Sequence, residues 1–545
     1  MFRWVAVEPT IECAVCRAAR RSKAARMKAL MHMGQALRLN ARLYPDKVGA
    51  SDLSRAMTFQ RWDERARRLA NALLGLGLRK GDRIAILAYN CVEWMEIYAG
   101  TANAGLVMVP INFRLVGPEI QFIVENSEAQ AIIVQDDLVE NLDEVRANLV
   151  ISEGHYIHFG GETTPCGYRA YEDLIAAAAS SEVAVDVLPE DTWAFMYTSG
   201  TTGRPKGAMR SHGGMALQNL ALLTELELSR RDTGVLVMPM CHANSLFFAS
   251  ALSYAGAGSC VYSVKSFDPE ELLRTIANQR ATFTSLVPTH YIMMEALSPS
   301  VRANYDVDCV RRLLISSAPA RKETKLAIMD YFKNSQLVEG YGSTEQGFAT
   351  IVRPDEQLSK LGSIGREMIG CRRIRLLDES GLDVEEGEVG EIYSHTPWCF
   401  EGYWKLPEKT AEAFYGMHLS VGDMARRDED GYYYLVDRKK NMIISGGLNI
   451  YPSEVENVLA SHADVMDVAV IGRTDAKWGE SVHGVVVLRG GAEVTEQEMI
   501  DWCDGRIAPY KRPRSVEFIQ NEDMPRTATG KILHRVLRDR LAANG

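Results

Sequence analysis

The chain has 545 residues, 46% of them hydrophobic and 24% charged, a balance that excludes a disordered polymer and a length that exceeds one ordinary domain. Its net charge of −10 excludes a general nucleic-acid binder, which needs a basic surface. No apolar run approaches the roughly 20 residues that span a bilayer, and ten scattered cysteines suit a reducing, cytoplasmic compartment rather than a disulfide framework.

Residues 1–30 stand apart, with Arg17, Arg20, Arg21, Lys23, Arg26 and Lys28 in a basic run. Such composition reads as a disordered extension, or as an over-long start with Met27, Met31 or Met33 as the true beginning. Cys13 and Cys16 lack two further nearby ligands for zinc. Helical periodicity over 61–76 and apolar strands at 83–87, 107–111 and 131–134 follow. An apolar strand at 193–197 leads into a Gly/Ser/Thr loop, and Ala216, Leu220 and Leu223 take helical spacing behind it. Further strands are expected at 234–238, 259–262, 282–286 and 312–315. Strands alternating with helices predict an α/β domain of parallel or mixed sheets covered by helices.

From 362 to 435 the strands shorten and Gly381, Gly387 and Gly390 punctuate them, as in a small antiparallel β-barrel. The best boundary falls at 437–440. Beyond it Ser453 and Glu456 have capping-box spacing, Val455, Val458 and Leu459 give a buried helix face, and strands are expected at 468–471, 484–488 and 516–519. The division expected is a large domain over 31–437 and a mobile α+β domain over 438–545.

The chemistry lies in five motifs. Thr198, Ser199, Gly200, Thr201, Thr202 and Gly203, then Arg204 and Lys206, put hydroxyls, backbone N–H groups and cations together as a polyphosphate cradle. Gly340, Tyr341 and Gly342 read as a turn offering a flat ring for a purine, and beyond Ser343 and Thr344 stands Glu345, an acid able to hold Mg²⁺ on phosphate oxygens. Gly422-Asp423 supplies a carboxylate for vicinal ribose hydroxyls. The fourth motif runs from Asp437 through Arg438 and Lys440 to Ser445, Gly446 and Gly447; the fifth, Pro525 to Ile532, carries Lys531.

In this order, over roughly residues 38–540, the motifs resemble those of the adenylate-forming superfamily: acyl-CoA synthetases, luciferases and peptide-synthetase adenylation domains. The resemblance implies roles. Thr198 to Lys206 hold the β- and γ-phosphates, Thr344 touches the α-phosphate, and Glu345 holds Mg²⁺. Ala318, Pro319 and Tyr341 enclose adenine; Asp423 and Arg438 hold the ribose. Lys531 is the adenylation lysine and Lys440 the hinge about which the small domain turns. Ser445, Gly446 and Gly447 then line a tunnel for the pantetheine of coenzyme A, and His242 flanks the acyl cleft.

The sequence departs from the common pattern at Lys439-Lys440-Asn441, at Val421 and at Ser316-Ser317-Ala318-Pro319. The resemblance implies an ATP-dependent carboxylic acid–CoA ligase releasing AMP and pyrophosphate. Its acid is a medium- or long-chain fatty or other hydrophobic acid, with small residues Ser317, Ala318 and Gly340 making room. An aryl acid of benzoate or cinnamate type is the alternative. Rivals are loading of an acyl carrier protein, luciferase-like oxidation and a catalytically dead scaffold. The partners expected are the acid, ATP and coenzyme A, with a homodimer as candidate assembly. The stretch Tyr510-Lys511-Arg512-Pro513-Arg514 favours coenzyme A.

Overall fold

A computed structural model describes residues 31–198, 205–317, 320–445, 448–475, 477–526 and 531–544. Two sheets carry the larger part. In the first, of eight strands, Arg83–Leu87 lies between Val107–Ile111 and Ala129–Gln135, parallel to both. Residues 84–87 are all fully buried, as a strand covered on both faces requires. Their alternation feeds two cores: Ile84 and Ile86 pack with Leu69 and Trp94, while Ala85 and Leu87 pack with Ile132 and Val134.

The second sheet has nine strands. Thr233–Leu236, Phe283–Leu286, Arg312–Ile315 and Gln336–Ser343 run parallel in that spatial order, and Gly347–Val352 returns antiparallel. The largest core lies between the two sheets, since Met108 of the first and Leu236, Phe283 and Leu314 of the second belong to it. Helix Phe59–Gly75 fills part of that space. Thr58 caps its N-terminus by accepting from Arg61 N–H, and Trp62, Ala66, Leu69 and Leu73 form its buried stripe.

Three local expectations are corrected. The helix does not follow the phosphate loop directly. Lys206–Ser211 first pairs antiparallel with Thr192–Thr198, with Thr198 opposite Lys206, and helix His212–Glu225 starts only then, capped by Ser211. Thr198 and Lys206, on either side of the loop, therefore both belong to strands. Tyr341 lies in a strand rather than a turn, because Gln336–Ser343 runs on past it. The Ser453–Glu456 box does not form: Ser453 donates to Asp437 Oδ2 at 3.0 Å and to the Val436 carbonyl, while Glu456 accepts from Val470 N–H at 2.8 Å.

Residues 372–438 contribute a six-stranded antiparallel sheet, with Gly381 and Gly387 at positive φ in its turns. A further sheet of five strands follows, built around the long pair Val465–Asp475 and Gly479–Leu488. Helix Pro452–Ala460 packs Val455 and Leu459, both fully buried, into its core.

Candidate active site

Three groups of residues converge at the ends of these strands. The first surrounds Glu345. Its Oε1 accepts from Tyr403 OH at 2.9 Å and Thr198 Oγ1 at 3.3 Å. Lys206 Nζ stands 3.9 Å from the Tyr403 ring centroid. Burial lowers the Lys206 pKa, and the Glu345 charge opposes that. Both strands flanking the phosphate loop thus reach the same carboxylate.

Beneath it lies Arg210, which is 1% exposed. Its Nη1 donates to the Thr344 and Glu345 carbonyls, each at 3.2 Å, and its Nη2 to Gln218 Oε1 at 3.1 Å. Burial pulls its pKa down to about 10, so it stays cationic at neutral pH. A buried cation donating to two successive carbonyls fixes that turn.

The second group is Tyr341, Asp423 and Arg438. Asp423 Oδ2 accepts from Tyr341 OH at 2.7 Å and its Oδ1 from Arg438 Nε at 3.0 Å. The pair Asp423–Arg438 is a cross-strand neighbour pair. Burial, then the Asp423 charge, pushes the Tyr341 hydroxyl pKa up, so it remains a donor. Lys531 and Lys440 join this group by charge. Lys531 is solvent-exposed, yet partial removal of its ammonium from water, and then Arg438, lowers its pKa. Lys440 falls to about 8, through burial first and then Arg438 and Lys531. The Lys440 carbonyl accepts from Arg538 Nη1 at 3.2 Å.

The third group starts at His242, the N-cap of helix Ala243–Ala255. Its Nε2 is buried without a partner. Burial, then Arg114, takes its pKa to about 4, so it is neutral. Asn244 Nδ2 donates to Ser285 Oγ and Ser316 Oγ, both at 3.0 Å, tying this helix to two strand ends. The space expected at Gly340 is filled: a Cβ there would stand 2.8 Å from the Phe348 ring and 3.5 Å from Leu314 Cδ1. Gly342 is required for another reason, since a Cβ would meet the Gly347 carbonyl oxygen at 2.2 Å.

In the five-stranded sheet Ser445 is buried and opposes Gly479. Next to Gly479, the Trp478 ring has Lys477 Nζ at 4.8 Å and the Arg514 guanidinium at 4.7 Å from its centroid. Ser199, Gly200, Thr201, Thr202, Gly203, Ala318, Pro319, Gly446 and Gly447 lie outside the described residues, as do residues 1–30.

The profile of the AMP-binding enzyme family matches residues 37–404, and that of the AMP-binding enzyme C-terminal domain matches residues 454–531. The chain belongs to the AMP-binding enzyme family. It is 34% identical over 490 residues to a long-chain-fatty-acid–CoA ligase of Mycobacterium tuberculosis, covering 89% of this chain and 93% of that protein. It is 34% identical over 501 residues to a feruloyl-CoA synthase of an Amycolatopsis species, covering 92% and 97%. Among solved structures it resembles an anthranilate CoA ligase in complex with anthranoyl-AMP, with a TM-score of 0.85 and 27% identity over 96% of this chain and 100% of that one.

In this AMP-binding enzyme Arg210, Asn244, Tyr403 and Trp478 were not legible as site residues. Tyr403 reaches Glu345 only because Gly402–Tyr403 pairs with the strand carrying Ala208 and Met209, a contact between segments almost two hundred positions apart. Arg210 carried a usable signal: a cation near the centre of the buried stretch 207–211, where only a dedicated acceptor set repays its desolvation.

Proposed function

We infer that the chain is an AMP-forming acid–CoA ligase working in two steps. In the first, a carboxylate oxygen attacks the α-phosphorus of ATP and the bond to pyrophosphate breaks, the electron pair leaving with pyrophosphate. In the second, the coenzyme A thiolate attacks the acyl carbon, the single bond from that carbon to the phosphate oxygen breaks, and AMP leaves with its electron pair; the thiol proton goes to solvent. What supports this reading is two groups of facing side chains, Thr198, Lys206 and Glu345 in one, and Asp423 and Arg438 with Lys531 in the other.

Thr198 and Lys206 would take the outer phosphates, Asp423 and Arg438 the ribose, and Tyr341 the adenine, together with Ala318 and Pro319. Lys531 would bridge the incoming carboxylate and the α-phosphate, where repulsion between the two anions is greatest. Mg²⁺ fits this donor set in a limited way. Among the described residues no cluster of three or more His, Cys, Asp or Glu could hold a metal, so Glu345 would supply one carboxylate to an ion held mainly by phosphate oxygens and water, the usual arrangement for magnesium. When bound, the ion would neutralise charge on the leaving pyrophosphate. Neutral His242 would wall the acid pocket without acting as a base; a thiol of pKa about 8.5 ionises readily enough.

For the second step, Ser445 with Gly446 and Gly447 would line the pantetheine path. Trp478 between Lys477 and Arg514 offers a flat ring and two cations to the nucleotide end of coenzyme A, which favours coenzyme A over a carrier protein. Lys440 would serve as the hinge. A homodimer and a cytoplasmic location complete the proposal; among the described residues no helix is long and apolar enough to cross a membrane.

The acid is hydrophobic, with a medium- or long-chain fatty acid the first candidate. A compact aryl acid is the second, favoured by Phe348 filling the space at Gly340 and by the polar Asn244–Ser285–Ser316 trio. AMP and pyrophosphate release across fatty acids of rising length and several aryl acids, with and without coenzyme A, tests the whole scheme. Turnover that requires coenzyme A is expected; adenylate formation indifferent to it would shift the thiol to a carrier protein, and no release with any acid would overturn the ligase.

A further inference from the structure

Helix His534–Asn544 begins three residues after Lys531, and the five-stranded sheet and its neighbours anchor it. Leu537 is buried with Ala469, Ile471 and Val485 of that sheet. His534 Nε2 lies 2.7 Å from Glu456 Oε1 on helix Pro452–Ala460, and Arg540 Nη1 donates to the Asp523 carbonyl at 2.9 Å. Just before the helix, Leu533 N–H donates to the Pro525 carbonyl at 2.8 Å and Ile532 pairs with Arg526. Lys531 is thus joined directly to a fixed element.

Arg538 points to a different partner. Its Nη1 donates to the Lys440 carbonyl at 3.2 Å, and its Nη2 reaches Asn441 Oδ1 at 3.5 Å, the outer limit of a hydrogen bond. Residues 439–441 continue strand Tyr433–Arg438, whose Arg438 pairs with Asp423. Asn441 Nδ2 in turn donates to Asp437 Oδ1 at 3.2 Å, and Ser453 N–H donates to Asp437 Oδ2 at 3.0 Å. A neutral amide suits position 441, because it gives an N–H to the Asp437 carboxylate and an oxygen to the Arg538 guanidinium. A carboxylate there would face Asp437 with like charge and have no donor to give. Lys440, Asn441 and Arg538 therefore link the strand of Arg438 to the helix behind Lys531, and Lys531 itself lies close enough to feel the charges of Arg438, Asp423 and Asp437.

We propose that Arg538 is a positioning residue for adenylation: by gripping the Lys440 carbonyl and Asn441 it holds Lys531 beside Asp423 and Arg438. This rests on the reading of Lys531 as the adenylation lysine. The action of Arg538 is indirect, through the backbone at Lys440 and through its own helix.

Arg538→Met keeps an apolar stem and removes the donors. ATP–pyrophosphate exchange at saturating substrates should fall about tenfold, the scale of a lost charge-assisted hydrogen bond, while the KM for ATP moves less than about threefold. Thioester formation from supplied acyl-adenylate should stay within about twofold of wild type. Arg538→Lys keeps a cation able to donate to the Lys440 carbonyl, and should restore pyrophosphate exchange to within about threefold. A wild-type rate of pyrophosphate exchange in the methionine variant, or equal losses in both half-reactions, would overturn the proposal. Amide hydrogen exchange of the substrate-free protein tests it without turnover. In Arg538→Met, amides at 438–445 and 531–538 should exchange faster together, with the paired strands Val465–Asp475 and Gly479–Leu488 unchanged. Unchanged exchange at 438–445, or equally faster exchange throughout the five-stranded sheet, would also overturn it. Absence of pyrophosphate exchange in the wild type with every acid would instead count against the ligase itself, and amide exchange would still decide whether Arg538 holds the two segments together.

Discussion

In the adenylation proposed above, Lys531 would meet a particular problem: a carboxylate must approach a phosphate that repels it. Its neighbourhood contains the cations Arg438 and Lys440 and the carboxylates Asp423 and Asp437. Lys531→Ala should cut pyrophosphate release about 10²–10³-fold, the scale of one lost contact to transition-state charge. Thioester formation from supplied acyl-adenylate should survive; equal loss in both half-reactions, measured by AMP release, would sink the division of labour. Tyr403 makes a subtler case. Its hydroxyl orients the Glu345 carboxylate at 2.9 Å, so Tyr403→Phe should raise the magnesium concentration giving half-maximal rate by about 3–10-fold, as expected for one hydrogen bond to a charged group, with the saturated rate little changed. A magnesium titration at fixed ATP checks it.

Among the elements, the antiparallel return from Gln336–Ser343 to Gly347–Val352 is the least tolerant. A methyl group at Gly342 would lie 2.2 Å from a backbone oxygen that cannot swing away. Gly342→Ala should cost about 2–3 kcal/mol by overpacking, read as a drop in urea midpoint, and should displace Thr344 and Glu345 enough to weaken ATP use. Which elements were legible follows from burial. Strand Arg83–Leu87 announced itself because both its faces are covered, leaving an unbroken apolar run. Strand Lys206–Ser211 did not, because it begins with a lysine and carries a buried arginine; local pattern pointed to a helix entering directly. The Ser453–Glu456 spacing failed as a cap because tertiary partners, Asp437 and Val470, captured both residues. The motifs placed Glu345, Asp423 and Lys531 in one chemistry, but Tyr403 and Trp478 depend on pairing across distant segments, which no local pattern encodes.

Over the whole molecule, acid should loosen the fold. Burial, with a smaller push from Arg38, takes His32 to about 4, and burial lowers His212 well below its usual value; the rings stand 5.5 Å apart in the core. An unfolded chain takes up these protons near pH 6.5, and the folded one resists. Stability is therefore full above about pH 6.5 and is lost as pH falls towards about 4, with His32 alone accounting for roughly 3 kcal/mol across that window. Urea midpoints at pH 7.5, 6 and 5 should fall in that order, and His32→Gln should flatten the trend.

The crowd of Arg438, Lys440 and Lys531 has a further consequence for handling the protein. Three like charges stand near Asp423, with Asp437 also close to Lys531; removal from water first, and then repulsion from Arg438, lowers the pKa of both lysines. On the proposed nucleotide site, the substrate-free protein holds these three cations together against an internal electrostatic pressure. Any multivalent anion is then mortar between them. Sulfate or inorganic phosphate at millimolar concentration should raise the melting temperature of the substrate-free protein more than chloride at equal ionic strength does, and Lys531→Ala should erase much of that difference.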